Sequence, residues 1–140
     1  METKSTKISE IKREWHKVDL KDQTLGRIAT EIAHLLMGKS KPYFVHHLDC
    51  GDFVVCTNAK DIKVTGSKEK TKVYFKHTLY PTGQKSEVLG DLRKRNPEAI
   101  IERAVKGMLP KNKIRALLLK RLFVFSGEDT KYNDKFKGEK

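Results

Sequence analysis

Apolar residues from position 25 onward fall on a single helical stripe. Leu25, Ile28, Ala29, Ile32, Leu35 and Leu36 share one face, with Arg27, Thr30, Glu31 and His34 on the other. Asp22 and Thr24 offer oxygens to cap the start of that helix, and Gly38 supplies its stop. A second stripe, Ile100, Ile101, Ala104, Val105 and Met108, follows Asn96-Pro97-Glu98. That tripeptide places a capping residue, a first-turn proline and an acid at the positive end of the helix dipole. Glu102 and Lys106 form an i,i+4 pair, and Pro110 ends the helix. A shorter helix is predicted from about Lys113 to Lys120. Extended segments are predicted at Trp15–Leu20, at Asp52–Asn58, at Lys72–His77 and at Leu122–Phe125. The near-continuous apolar run of the second marks a central strand covered on both faces. Ile62 and Val64 read as a further short strand turning at Thr65-Gly66, and the stretch between Tyr80 and Gly90 reads as an irregular loop. Strands alternating with helices make this an α/β domain with a small, largely parallel sheet.

Three regions divide the 140 residues: a polar lead-in over 1–14, one domain over 15–127, and a charge-balanced tail over 128–140. Neither end has the apolar spacing needed to fix it to a core, so both are expected to be loosely attached. Gly26 interrupts an otherwise good helix and marks a close approach, either by the sheet or by the backbone of a bound nucleic acid, with packing against the sheet the preferred reading.

Charge changes this picture most. Hydrophobic residues make up 37% of the chain and charged ones 34%, with a net charge of +12. Ordinary soluble domains run at roughly 45–50% apolar and about 25% charged. The segment from Arg103 to Gly127 contains no acid, yet carries Arg103, Lys106, Lys111, Lys113, Arg115, Lys120 and Arg121 among its apolar anchors. Across residues 60–76, Lys60, Lys63, Lys68, Lys70, Lys72 and Lys76 outnumber Asp61 and Glu69, and Tyr74, Phe75 and His77 stand among or beside them. A folded surface this positive faces a polyanion; lysines and arginines neutralise phosphates, and flat rings stack on exposed bases. The candidate contacts are Lys39, Lys41, His47, Lys68, Lys72, Lys76, His77, Lys106, Lys111, Asn112, Lys113, Arg115, Lys120 and Arg121.

Other chemistries fit less well. Gly38-Lys39-Ser40 evokes a phosphate loop, but that motif needs a glycine where Ala33 stands, and here the triplet follows a helix instead of opening one. His46, His47, Cys50 and Cys56 lack paired zinc spacing, and Cys56 lies within an apolar strand. Asp49 and Asp52 flank Gly51 as turn residues, and Ser67, His77 and Asp61 have no nucleophile elbow. No catalytic site, metal site, cofactor or small-molecule substrate is therefore expected. A nucleotide-handling enzyme and a metal-stabilised interaction module stand as the alternatives. Two cysteines, no secretory leader and no apolar span point to a reducing cytoplasm and away from a membrane.

A family resemblance emerges from the order of the motifs. Trp15…Asp19, Leu25-Gly26-Arg27-Ile28-Ala29, Gly38-Lys39, Asp49-Cys50-Gly51-Asp52-Phe53-Val54-Val55, Asn58-Ala59, Thr65-Gly66 and Lys72-Val73-Tyr74 are followed by His77…Tyr80-Pro81. The run Ala104-Val105-Lys106-Gly107-Met108-Leu109-Pro110-Lys111-Asn112 completes them. Over about residues 15–127 the chain resembles the bacterial large-subunit ribosomal protein L-thirteen family. The resemblance implies a three-layer α/β/α domain around a four-stranded sheet. It also implies a non-catalytic protein of the cytoplasmic ribosome, with an organellar ribosome left open, that binds large-subunit ribosomal RNA beside neighbouring ribosomal proteins and supports early subunit assembly. Two segments depart from the family pattern. Thr78-Leu79-Tyr80-Pro81-Thr82-Gly83 replaces a form richer in glycine (Thr-Gly-Tyr-Pro-Gly after the histidine), and Glu128–Asn133 replaces a His-Pro-His…Gln-x-Pro stretch.

Overall fold

The computed structural model describes residues 6–128 and 131–136. Its centre is a parallel sheet of β1 (Trp15–Asp19), β2 (Phe53–Thr57) and β5 (Leu122–Val124), in the order β1-β2-β5. Trp15 pairs with Phe53 and Val54 with Leu122, so β2 is the central strand. Val54, Val55 and Cys56 are fully buried, as a strand covered on both faces requires. On one face, Val54, Cys56, Leu122 and Val124 join a core formed with α1 (Leu25–Met37), α3 (Leu89–Arg95), α4 (Glu98–Met108) and α5 (Ile114–Leu119).

The other face is covered thinly. Trp15 and Phe53 stack with ring centroids 4.4 Å apart, Phe123 lies alongside, and Tyr132 packs 4.5 Å from Phe123 and 5.3 Å from Trp15. Phe136, in a 3-10 helix at Asn133–Phe136, meets Trp15 edge-on. Where it is described, the tail lays its two aromatic rings against the second face of the sheet. The lead-in is tied down as well: Thr6 donates to the Tyr43 carbonyl, and Lys12 offers its own carbonyl to Lys41 and Tyr43.

The class is α/β, but the strands are arranged differently from the four-stranded expectation. The parallel sheet has three strands, and β3 (Val73–His77) pairs instead with β4 (Gln84–Val88) in a separate antiparallel hairpin. The segment expected as a loop before Gly90 is therefore largely strand; Gln84–Val88 holds a single apolar residue, which conceals it from pattern reading. Ile62 and Val64 do not form a strand. A 3-10 turn at Ala59–Asp61 leads into one parallel bridge, Thr24 opposite Lys63. That bridge does the capping expected of side chains: Leu25 N–H donates to the Lys63 carbonyl at 2.9 Å, and Thr24 makes no side-chain cap. At the other end Gly38 adopts φ +73° and donates to the His34 and Leu35 carbonyls, as its place after the stripe predicts. Asn96 accepts from Ala99 N–H at 3.3 Å at the start of α4. The short helix α2 (Lys68–Thr71) and α3 escape the periodicity because α2 buries nothing and α3 buries only Leu89 and Leu92.

A buried carboxylate joins remote segments. Asp52 is 2% exposed; it accepts Glu14 N–H at 3.0 Å, faces His16 Nε2 at 3.1 Å and pairs with Lys41 Nζ. Burial pushes its carboxyl upward, but the bonds from Lys41, Glu14 and His16 outweigh this and hold it below the ordinary aspartate value. Because the folded value is the lower one, this stabilisation is complete above the unfolded pKa and disappears as pH falls through the folded value.

Asp52→Asn should therefore cost about 3 kcal/mol at pH 7, since it strands a buried ammonium. Denaturant titrations of parent and variant should still differ near the ordinary aspartate pKa of about 3.9 and draw together only at lower pH, as the folded carboxyl takes up its proton; a gap independent of pH would mean that the loss came from shape alone. The hairpin turn gives a second expectation. Leu79 and Thr82 adopt φ +69° and +59°, a region costly to side chains with a Cβ and worst for β-branched ones. Leu79→Gly and Thr82→Gly should each stabilise the protein by up to about 1 kcal/mol, visible as a rise in melting temperature.

Candidate nucleic-acid interface

The acid-free segment folds into a helix–turn–helix edge. α4 closes when Leu109 N–H donates to the Val105 carbonyl at 3.0 Å, and Leu109 plugs into the core. Pro110 blocks continuation, and Asn112 Oδ1 accepts Arg115 N–H at 3.1 Å to begin α5. This turn presents Lys106, Lys111 and Lys113 to solvent, with Arg115 half-buried behind them. Asn112 thus commits its side-chain oxygen to the helix start, so the contact expected of it rests on its amide group. The 44–48 loop lies against the same turn. Phe44, His46 and Leu48 share a cavity of about 30 Å³ with Met37, Asn112 and Ile114, and His47 is exposed on that loop. Lys39 is exposed just beyond the end of α1.

A second basic surface surrounds a groove of about 500 Å³ between the start of α1 and the end of α4. Lys68 and Lys72 line it, together with Arg27, Lys63 and Arg103, which were absent from the candidate contacts. Lys72 Nζ lies 5.4 Å from the centre of the Tyr74 ring and the Arg103 guanidinium 4.8 Å from it. Burial pushes the Tyr74 phenol upward and Arg103 partly offsets this, so the hydroxyl keeps its proton at neutral pH. Gly26 opens onto this groove; a Cβ there would meet nothing within 4 Å, which overturns its reading as a contact with the sheet.

The hairpin makes the third surface. Lys76 and His77 are exposed beside Phe75, Leu79 and Tyr80, whose exposures are 67%, 92% and 75%. His77 Nδ1 accepts Leu79 N–H at 2.9 Å, which leaves Nε2 to carry the neutral ring's proton. Lys76 sits directly opposite Lys85 in the register, a like-charge pair that weakens an isolated hairpin. Lys85 also escaped the sequence reading, because only the unrecognised strand brings it to this face.

Two candidates turn inward. Lys41 is 10% exposed and bonded to Asp52 and to the Lys12 and Cys50 carbonyls. Arg121 is 5% exposed, pairing with Asp49 and donating to the Gly51 carbonyl at 3.2 Å. Both hold the interior together and are corrected from contacts to internal ties; Lys120, beside Arg121, is exposed. Among the described residues no cluster of three or more His, Cys, Asp or Glu could hold a metal ion, and no helix is long and apolar enough to cross a membrane. Burial pushes the Cys56 thiol to about 12, so it stays protonated at neutral pH.

Known proteins place this arrangement. The family model described as Ribosomal protein L13 matches residues 13–131. The large ribosomal subunit protein uL13 of Methylococcus capsulatus is 51% identical over 127 residues, covering 91% of this chain and 89% of that protein. The protein of the same name from Halorhodospira halophila is 47% identical over 133 residues, covering 95% and 94%. That of Nitratiruptor is 46% identical over 136 residues, covering 97% of each. With the match spanning the sheet, the helical core and all three basic surfaces, the chain belongs to the ribosomal protein L13 family.

Proposed function

We propose that this chain binds large-subunit ribosomal RNA through its three basic surfaces and helps that RNA fold early in subunit assembly. As a member of its family it is a structural ribosomal protein, not an enzyme, and works in the cytoplasm as part of the ribosome. The observation that carries the RNA reading is how the charges are sorted. Asp49 and Asp52 are drawn inward onto Arg121 and Lys41, while Glu69 and Glu87 pair with Arg93 and Arg95. The exposed lysines of the α4–α5 turn, the groove and the hairpin are left to face a polyanion. Phe75 and Tyr80 add flat apolar area beside those charges, suited to unpaired bases or to a neighbouring ribosomal protein.

Binding should depend steeply on salt. If ~6–10 phosphates are neutralised, affinity for large-subunit ribosomal RNA should fall roughly three to five orders of magnitude between about 50 and 200 mM salt. A filter-binding series checks this, and a flat response would count against a phosphate-dominated interface. Reversing charge at Lys111, Lys113 and Arg115 should weaken RNA binding and entry into large subunits while the melting temperature stays near that of the parent. Normal incorporation of the triple variant would move the principal surface elsewhere.

A further inference from the structure

We infer that the groove between the first turn of α1 and the last turn of α4 seats one unpaired nucleotide of RNA, with its phosphate on the rim cations and its base on the apolar floor. This rests on the RNA-binding reading above and deepens it. Three independent observations converge on the groove.

The first is its charge. Arg27, Lys63, Lys68, Lys72 and Arg103 line it, and no acid does. Lys63 is paired with Asp22, whose carboxylate lies 2.9 Å from its Nζ, and both side chains are well exposed. Such a pair contributes little, and a phosphate can displace it. The second is size and floor. A volume of about 500 Å³ falls within the roughly 300–1,000 Å³ of sites that take small organic groups. It is too small for an RNA helix and large enough for one nucleotide. Val64 and Met108 give the base an apolar surface, above the buried Leu89.

The third is a pair of glycines that the fold does not need. Gly26 lies in α1 and Gly107 in α4, both line the groove, and a Cβ at either would meet nothing within 4 Å. Neither adopts a positive φ. Glycine in a helix is less favourable than alanine, so these positions forgo stability with no packing or turn geometry in return. What they provide is bare backbone on two sides of one groove, where a ligand's backbone can approach closely. Arg103 makes the ligand a polymer, not a free nucleotide. Its guanidinium lies over Tyr74 and also lines the adjoining depression with Phe75 and Lys76, so a strand leaving the groove continues over the hairpin.

The test uses full-length protein, deproteinised large-subunit ribosomal RNA and, separately, adenosine and uridine monophosphate. Gly26→Ala, Gly107→Ala, Gly26→Leu and Gly107→Leu are compared with the parent for melting temperature and RNA affinity. All four should melt at or above the parent temperature. The leucine variants should bind RNA about tenfold or more weakly, the scale of losing one stacked base, and the alanine variants should fall between. Photo-crosslinking of thiouridine-substituted RNA to unaltered protein should label the peptides holding Val64 and Met108, a readout that does not depend on how a variant folds. Undiminished affinity in all four variants, or crosslinks that avoid those peptides, would overturn the groove while leaving the RNA-binding reading intact. A parent protein that fails to bind the RNA would sink that reading itself. Tight, saturable binding of a monophosphate without RNA would make a free nucleotide the occupant and overturn the inference.

Discussion

Asp52 draws together two segments remote from it in sequence: the entry into β1, through Glu14 N–H and His16, and the loop after α1, through Lys41. Lys41 then bonds the Lys12 and Cys50 carbonyls, and beside it Arg121 reaches across from the end of α5 to Asp49 and Gly51. The 49–52 turn that leads into the central strand is therefore clamped from both sides by buried or nearly buried charges. A buried charge without a partner costs several kcal/mol, so each of these groups requires the others in place. Gly38 and Gly51 complete the joint: a Cβ on Gly38 would collide with the Cys50 carbonyl, and one on Gly51 with that of Leu36. Register, helix end and loop are set at one point.

This clamp bears on function because the chain has few acids to distribute. Each internal pair removes one acid and one cation together, so the whole net charge of +12 is carried outside these pairs. Asp49 and Asp52 neutralise the two cations that the core can hold, and the remaining excess is expressed on the turn, the groove and the hairpin. Lys76 opposite Lys85 shows the same economy locally, since that hairpin register is better satisfied with an anion lying across it than in isolation. A surface of this kind costs the free protein some stability through self-repulsion, and neutralising phosphates relieve the strain.

What could be read from the sequence was whatever depends on apolar periodicity. α1 and α4 and the strands β1, β2 and β5 appear where the stripes and runs put them, because α1, α4, β2 and β5 bury apolar residues in one core and β1 packs Val18 against it. Elements held by other forces were hidden. β4 is stabilised by backbone pairing to β3 with almost no apolar content, and α3 is anchored by two leucines and by Arg93, which reaches Glu69 and the Ile62 carbonyl. Among candidate contacts, acid depletion singles out a segment whose lysines Lys106, Lys111 and Lys113 the fold leaves exposed. Lys41 and Arg121 misled because charge alone cannot say which cation has a buried carboxylate within reach. Arg27, Lys63 and Arg103 come from three separate segments and become one surface only in the folded chain.

The described part of the tail has its place on the parallel sheet. The second face of the parallel sheet carries Trp15, Phe53, Val55 and Phe123, an apolar patch with no α-helix packed on it among the described residues. Val55 is nonetheless fully buried, and the rings that close over this face are Tyr132 and Phe136. Burying aromatic area contributes substantially at the scale of a small domain, and stacked rings add about 0.5–1.5 kcal/mol per pair. These side chains cannot lie on Trp15 and Phe123 and at the same time stack on bases, so the described part of the tail serves the sheet. The RNA contacts proposed above fall to the cationic surfaces around the helices and hairpin, and the rings of the tail, occupied on the sheet, take no part in them.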